Sequence, residues 1–173
     1  MKKYLFILLA AMAFVACSDD EEVKVINENE ISQIAEKDMG TGVKEFFEAE
    51  MTSYSYNTLP FALPDKEPGE FYDVWAQVIN SQEELASLYT GDKNLPNIDF
   101  SKYSLILGYA MGANTGYTLN KIVLENSEES LLLSVYLNGS EYGFMGLIKI
   151  PFWGLYPKLS EKKLETKVIE NNH

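Results

Sequence analysis

From Phe71 onward, apolar and polar positions fall into short runs separated by turn residues, the pattern of a sheet protein. Tyr72 to Ile79 is β-rich and half alternating, and it stops at Asn80. Ser81-Gln82-Glu83-Glu84 then has the spacing of a capping box. The Ser81 hydroxyl can accept from the Glu84 N–H while the Glu84 carboxylate reaches back to the Ser81 N–H. Leu85 and Leu88 give this helix its apolar face and Gly91 a left-handed stop, which predicts a helix over about residues 81–90. Asp92 to Ser101, with Pro96, is a loop, and Ser104 to Met111 is a continuous apolar strand. Gly112 to Gly116 is a turn. Tyr117 to Glu125 alternates only imperfectly through Tyr117, Leu119, Ile122 and Leu124, which predicts a bulge near Asn120. Leu131 to Leu137 is the next strand, and Asn138-Gly139 is a hairpin signal. Tyr142 to Pro151 is a further strand and Leu164 to Ile169 a short closing edge. The sum is an α+β domain: an antiparallel sheet of about five strands with the 81–90 helix packed on one face.

The chain before residue 71 is less regular. Ile31, Ile34 and Ala35 lie at helical spacing, and Val43, Phe46 and Phe47 do so again after Gly40-Thr41-Gly42. Val43 to Met51 therefore predicts a short helix or strand. Tyr54 to Phe71 carries Pro60, Pro64, Pro68 and Gly69 and reads as a loop. At the N-terminus, Lys2-Lys3, an apolar stretch from Tyr4 to Val15, and Ala16 before Cys17 form a secretory signal. At roughly 12 residues the apolar run is shorter than the ~20 a membrane-spanning helix requires. The expected organisation is a signal peptide over 1–16, an acidic tether over 17–29, an N-terminal segment and Pro-rich loop over 30–70, and the α+β domain over 71–173. Val23-Lys24-Val25 alternates and could dock as a short edge strand.

The residues around the cut refine that expectation. Phe14-Val15-Ala16-Cys17 resembles the lipobox of bacterial lipoproteins, in which the Cys becomes the first residue and carries the lipid. Ser18-Asp19-Asp20-Glu21-Glu22 follows, and this acidic run resembles the export signal of Bacteroidota surface lipoproteins. The resemblance implies a protein anchored to the outer membrane through Cys17 and carried to the cell surface, with the periplasmic leaflet as the alternative. Loss of Lys2 and Lys3 with the signal would take the formal charge from −12 to −14.

Composition removes several mechanisms. The chain has one Cys, one His (the terminal His173), and no Arg among its 14 basic residues. A single Cys forms no internal disulfide, and one terminal His supplies neither a multi-His metal site nor an internal general base. A net charge of −12 makes nucleic acid a poor partner. A Ser–Lys dyad would need Ser101 or Ser104 with Lys102, and paired carboxylates would be drawn from Glu70, Asp73 and Glu141. Asp92-Lys93-Asn94 falls short of a calcium loop. Gly112 to Gly116 joins two strands, so its glycines serve a turn rather than a phosphate. No catalytic residue, metal or cofactor is expected. Trp75, inside an apolar strand, is expected to be buried. Pro151-Phe152-Trp153-Gly154-Leu155-Tyr156-Pro157 either covers the core or presents an aromatic platform to a protein or a sugar.

One further resemblance spans about Val74 to Lys158. It rests on Val78-Ile79-Asn80-Ser81-Gln82-Glu83-Glu84-Leu85, Leu95-Pro96-Asn97-Ile98-Asp99-Phe100, Ser104-Leu105-Ile106-Leu107-Gly108, Thr115-Gly116-Tyr117 and Pro151-Phe152. In order and spacing these resemble the C-terminal domain of the PrcB protease-complex subunits. The resemblance implies a small α+β lipoprotein domain that binds or supports a secreted protease. Members commonly carry a basic residue and Gly-Gly-Tyr at the central turn, whereas here it reads Gly112-Ala113-Asn114-Thr115-Gly116-Tyr117. The expected function is non-enzymatic: a protein-binding lipoprotein acting through Asn114, Thr115, Gly116, Tyr117, Phe152, Trp153 and Tyr156. Surface glycan binding is the alternative, and an acidic-pair glycosidase a third.

Overall fold

A computed structural model describes residues 29–51, 59–62, 73–139 and 143–171. The expected secretory signal, the acidic tether as far as residue 28 with Cys17, and the expected Val23-Lys24-Val25 edge strand lie outside them. The elements are β1 (Glu30–Ile31), α1 (Val43–Met51), β2 (Val74–Ile79), α2 (Gln82–Leu88), β3 (Tyr103–Asn114), β4 (Thr118–Asn126), β5 (Ser130–Asn138), β6 (Met145–Pro157) and β7 (Lys163–Asn171). The α+β class stands, but the strands form two sheets rather than one of about five. One runs β1-β4-β5-β7 and the other β2-β3-β6. Every neighbouring pair is antiparallel except β5 and β7, which are parallel.

The second sheet exists because two strands are apolar on both faces. Along β3, Ile106 and Ala110 point into a core shared with Leu124, Leu131, Leu133, Val135 and Leu137 of the other sheet. Leu105 and Leu107 point the opposite way, into a core with Val43, Phe46, Phe47 and Met51 of α1 and Leu85 of α2. Strand β6 divides likewise, with Ile150, Phe152 and Tyr156 in the first core and Leu155 in the second. Such strands belong in a middle layer, where both faces leave water. The molecule therefore has three layers: the four-stranded sheet, the three-stranded sheet, and the two helices. The hairpin signal at Asn138-Gly139 forms no hairpin, because β6 pairs with β3 and the chain returns to the first sheet only as β7, beside β5.

Local chemistry accounts for the rest. At β4 the pairing slips between Leu119 and Lys121, so Asn120 is the bulged residue. Residues 119 and 122 differ by an odd number, and the extra residue lets both face Leu137 and Val135 on the core side. Residues 31–35 form no helix. Ile31 packs on the core between the sheets and Ile34 on the helix-side core, which no single helical face could reach. The segment is extended instead, followed by one 3₁₀ turn at Glu36–Asp38. It steps from β4 to β6, where the Ile34 N–H donates to the Leu155 carbonyl at 2.8 Å. That bond marks the outer edge of β6. By alternation, Pro151 turns its nitrogen to the same edge, which explains a proline inside a 13-residue strand.

Both helix ends differ from expectation in detail. The Ser81 Oγ accepts from the Glu84 N–H at 3.0 Å. The Glu84 carboxylate reaches one residue further back than expected, accepting from the Asn80 N–H at 3.0 Å and from Gln77 at 2.7 Å. Gly91 is not a left-handed stop. Helix α2 ends at Leu88, and Tyr89 is extended and bridges to Phe61. Gly91 is small because the Tyr89 ring lies over it: a Cβ there would sit 2.3 Å from the phenol oxygen.

Candidate functional site

The sequence-predicted binding residues divide into two groups. Phe152 and Tyr156 are each 1% exposed and face the core between the sheets, so the surface role expected of them is excluded. Trp153 points to the opposite face of β6 and stacks on Phe47 of α1, with ring centroids 5.0 Å apart. The segment 151–157 is therefore a covered strand and not an aromatic platform. The reason is its pairing along the full length of β3, which places alternate rings in two cores.

The turn after β3 is on the surface and tightly built. The Asn114 side chain accepts from the Gly116 N–H at 2.7 Å, an Asx turn, and the Tyr117 N–H reaches the Asn114 carbonyl at 3.4 Å. Thr115 clasps the start of β6 twice, its hydroxyl accepting from the Phe144 N–H at 3.0 Å and its N–H donating to the Phe144 carbonyl at 3.3 Å. Gly143 must be glycine here, since a Cβ would lie 2.5 Å from the Asn114 side-chain oxygen. Tyr117 packs over Gly112 and donates to Glu170 at 3.2 Å. Burial raises its pKa above the ordinary tyrosine value, and the Glu170 carboxylate adds to that.

This rigid turn holds an apolar residue that composition alone did not mark. Phe144 is 84% exposed, and Leu147 on β6 is 52% exposed. From Leu147 the same face of the three-stranded sheet continues through Lys149 and Met111 to a row of Pro151, Tyr109 and Trp75. Trp75 is half-buried rather than buried, because β2 is the outer strand of its sheet. It stacks on Tyr109 with centroids 6.1 Å apart, and the Lys149 ammonium sits 4.9 Å from the Tyr109 ring. None of Trp75, Met111, Leu147 or Lys149 belongs to either core, and Tyr109, 7% exposed, lies buried beneath Trp75 and Lys149. The only sequence signal for this surface was parity: on β6, residues 147, 149 and 151 lie opposite in face to 148, 150 and 152.

The catalytic candidates are not brought together. The Ser104 hydroxyl is fully buried, donating to the Asn80 side chain at 2.6 Å and accepting from the Leu159 N–H at 3.0 Å. Lys102 instead pairs with Asp99 at 2.8 Å. Its hydrogen bond to that carboxylate holds the Lys102 pKa above the ordinary lysine value, the reverse of what a general base needs. Ser101 also bonds Asp99. Of the carboxylates, Asp73 is exposed, while Glu70 and Glu141 lie outside the described residues. Lys93, in the sequence compared with a calcium loop, donates to Glu50 at 2.6 Å. Among the described residues no group of three or more acidic, His or Cys side chains could hold a metal ion.

Two of the open clefts among the described residues add little chemistry. One of about 560 Å³ is lined by Ser127, Glu128, Glu129, Ser130, Lys163 and Glu165. The other, of about 390 Å³, lies at the start of α1, where Lys44 is already paired with Glu36 at 2.7 Å. A buried carboxylate, Glu50, is 5% exposed and is held by Lys93 and by the Tyr89 hydroxyl at 3.0 Å. Those contacts fasten α1 to the loop after α2.

Comparison with family models, curated proteins and solved structures gives no match. Among the described residues no helix is long and apolar enough to cross a membrane.

Proposed function

We propose that this chain is a non-catalytic, lipid-anchored domain of the bacterial cell envelope that binds a protein partner. The contact surface is the Asn114–Tyr117 turn with Phe144 and Leu147. The observation that carries this reading is Phe144, 84% exposed on a clasp of four backbone and side-chain hydrogen bonds. A large apolar side chain held out on rigid backbone loses little entropy on docking and gains the most from burial. The residue types do not favour a catalyst, since the nucleophile and base candidates are bonded elsewhere. The resemblance to the PrcB domain suggests a secreted or envelope protease as the partner. The lipid anchor on Cys17 and surface export through Ser18 to Glu22 rest on the sequence patterns.

The test is recovery of partners from envelope extracts on tagged wild type and on the Phe144→Ala/Leu147→Ala pair. At least one partner should be lost from the variant, and equal recovery of every partner would sink the site. Labelling with radioactive palmitate should mark wild type and leave Cys17→Ala unmarked; a labelled Cys17→Ala chain would remove the anchor from the proposal.

A second reading has its own support in the half-buried Trp75, whose ring is held against the buried Tyr109 and suits the apolar face of a sugar. Titration of polysaccharides against tryptophan fluorescence tests it. A response lost in Trp75→Phe would favour glycan binding, and a flat response over a broad panel would dismiss it.

A further inference from the structure

On one side of the molecule the two sheets end in β4 and β6, and no ladder joins these strands. Residues 29–34 close the far end of this seam. The Asn29 carbonyl accepts from the Asn126 N–H at 2.8 Å, Ile31 lies beside Leu124, and the Ile34 N–H donates to the Leu155 carbonyl at 2.8 Å. From there to the Asn114–Tyr117 turn, no described strand pairs with either edge. Leu119 registers the opening. Its pairing with Leu137 puts it on the core side, yet Leu119 is 36% exposed where Leu137 is fully buried. Ile122 and Ile148 pack on the same core and are only partly buried.

The backbone identifies what the seam takes. On β6 the Leu155 carbonyl turns to the seam, while the Lys158 N–H turns the other way, to Lys102 before β3. Alternation then puts the N–H and C=O of Lys149 and Trp153, and the C=O of Pro151, on the seam edge. On β4 the Asn126 bond to Asn29 likewise puts the N–H and C=O of Ile122 on the facing edge. Free groups of two strand edges are satisfied by an extended chain. Pro151 withholds one donor, so side chains supply part of the hold. A strand laid here turns alternate side chains inward, onto Leu119, Ile122 and Ile148. The others turn outward, toward Lys149 on one lip and Lys121 on the other. Their ammonium groups lie 4.9 Å from the Tyr109 ring and 4.8 Å from the Tyr136 ring, and neither pairs with a carboxylate among the described residues. Two such lysines, on a chain of net charge −12, favour an acidic segment.

Resting on the protein-binding reading above, we infer that this seam receives an extended segment of the partner, added as a strand on the β6 edge. The segment carries apolar residues at alternate positions and acidic residues between them. Phe144 and Leu147, at the start of β6, stand at the turn end of the seam and meet the same partner there. Asn29, where the expected tether joins, lies at the opposite end beside Asn126.

The test uses the full chain and a capped synthetic peptide of about eight residues that alternates Val and Glu. In the free chain the Ile122, Lys149 and Trp153 amides should exchange hydrogen rapidly, and the peptide should slow them about tenfold or more. A Val/Lys peptide, and a Val/Glu peptide N-methylated at alternate amides, should each bind about tenfold more weakly. Lys149→Glu should weaken the Val/Glu peptide and strengthen the Val/Lys peptide, a reversal that an unfolded variant cannot show. Amides already protected in the free chain would mean that the seam is filled from within. That result, no protection at about 1 mM peptide, or equal binding of the three peptides would each overturn the seam. Recovery from envelope extracts separates this failure from that of the protein-binding reading. A partner lost on Phe144→Ala/Leu147→Ala and kept by Lys149→Glu overturns the seam alone, whereas equal recovery on all variants overturns the contact surface as well.

Discussion

Strands β3 and β5 are written in nearly the same apolar alphabet but sit in different layers. β3 runs down the centre of the molecule: Leu105 and Leu107 meet the helices, and Ile106 and Ala110 meet the opposite sheet. β5 meets the same inter-sheet core through Leu131, Leu133, Val135 and Leu137, and its other side faces outward. The difference teaches that an apolar run does not by itself say whether a strand is covered on one face or on two: β3 is covered on both, and β5 meets a core on one while Leu132 and Tyr136 of its other side are half-buried.

That contrast can be broken first with leucines. Leu107→Ala on β3 and Leu133→Ala on the inner side of β5 should each cost about 2–5 kcal/mol in denaturant unfolding, since both are fully buried. Leu132→Ala, on the outer side of β5, should cost under ~1 kcal/mol at dilute protein concentration. A cost for Leu132→Ala equal to that of Leu133→Ala would mean that something within the chain already covers this face.

Glycine gives a second test. A Cβ on Gly108 of β3 would lie 2.4 Å from both the Phe152 ring and the Trp75 carbonyl oxygen. Gly108→Ala should therefore lose about 1–3 kcal/mol by overpacking, measured by the shift in unfolding midpoint at constant slope. A neutral result would show that the middle layer is looser than its contacts imply.

Each run also contains one buried serine. Ser104→Ala leaves the Leu159 N–H and the Asn80 side chain without their partner and should cost about 1–2 kcal/mol. Ser134→Ala, whose side chain is buried but turns away from both cores, should cost less than Ser104→Ala. Thermal scans of the two variants side by side would decide whether the serines differ as their layers do.

The smallest effect concerns alkaline pH. The Tyr156 hydroxyl is buried, with the Gln33 side chain beside it, and burial pushes its pKa well above the ordinary tyrosine value of about 10. Burial raises Tyr89 as well. Unfolded tyrosines ionise near pH 10 while these stay protonated in the fold, so the unfolded state binds fewer protons there. The stabilisation is complete below pH 10 and is lost as pH rises beyond it. Tyr156→Phe should be near neutral at pH 7 and should flatten the decline above pH 10, as followed by midpoints at pH 9, 10 and 11. An unchanged decline would assign it to other groups.

Much of the fold was legible because its signals are local. The Ser81 cap and the bulge at Asn120 each depend on a few adjacent residues, whereas Val43–Met51 was legible only as a helix or a strand and is a helix. The division into two sheets was not, because Asn138-Gly139 has hairpin chemistry while the two-faced apolar pattern of β6 draws that strand to β3. The long-range pairing wins because it fills two cores at once. The candidate surface was half legible. The Asn114–Tyr117 turn follows from Asn and Gly at turn spacing, but Phe152 and Tyr156 are rings whose exposure depends on parity against β3. Phe144 was passed over because nothing in its own neighbours shows that Thr115, far along the chain, holds it outward.

The measurement that bears most directly on the contrast between β3 and β5 is the tolerance of each strand to a charge, read by denaturant unfolding. Leu132→Lys, on the half-buried outer side of β5, should keep a cooperative transition within about 1 kcal/mol of wild type, while Leu107→Lys, fully buried on β3, should abolish it. A Leu132→Lys variant as unstable as Leu107→Lys would contradict the one-sided cover of β5.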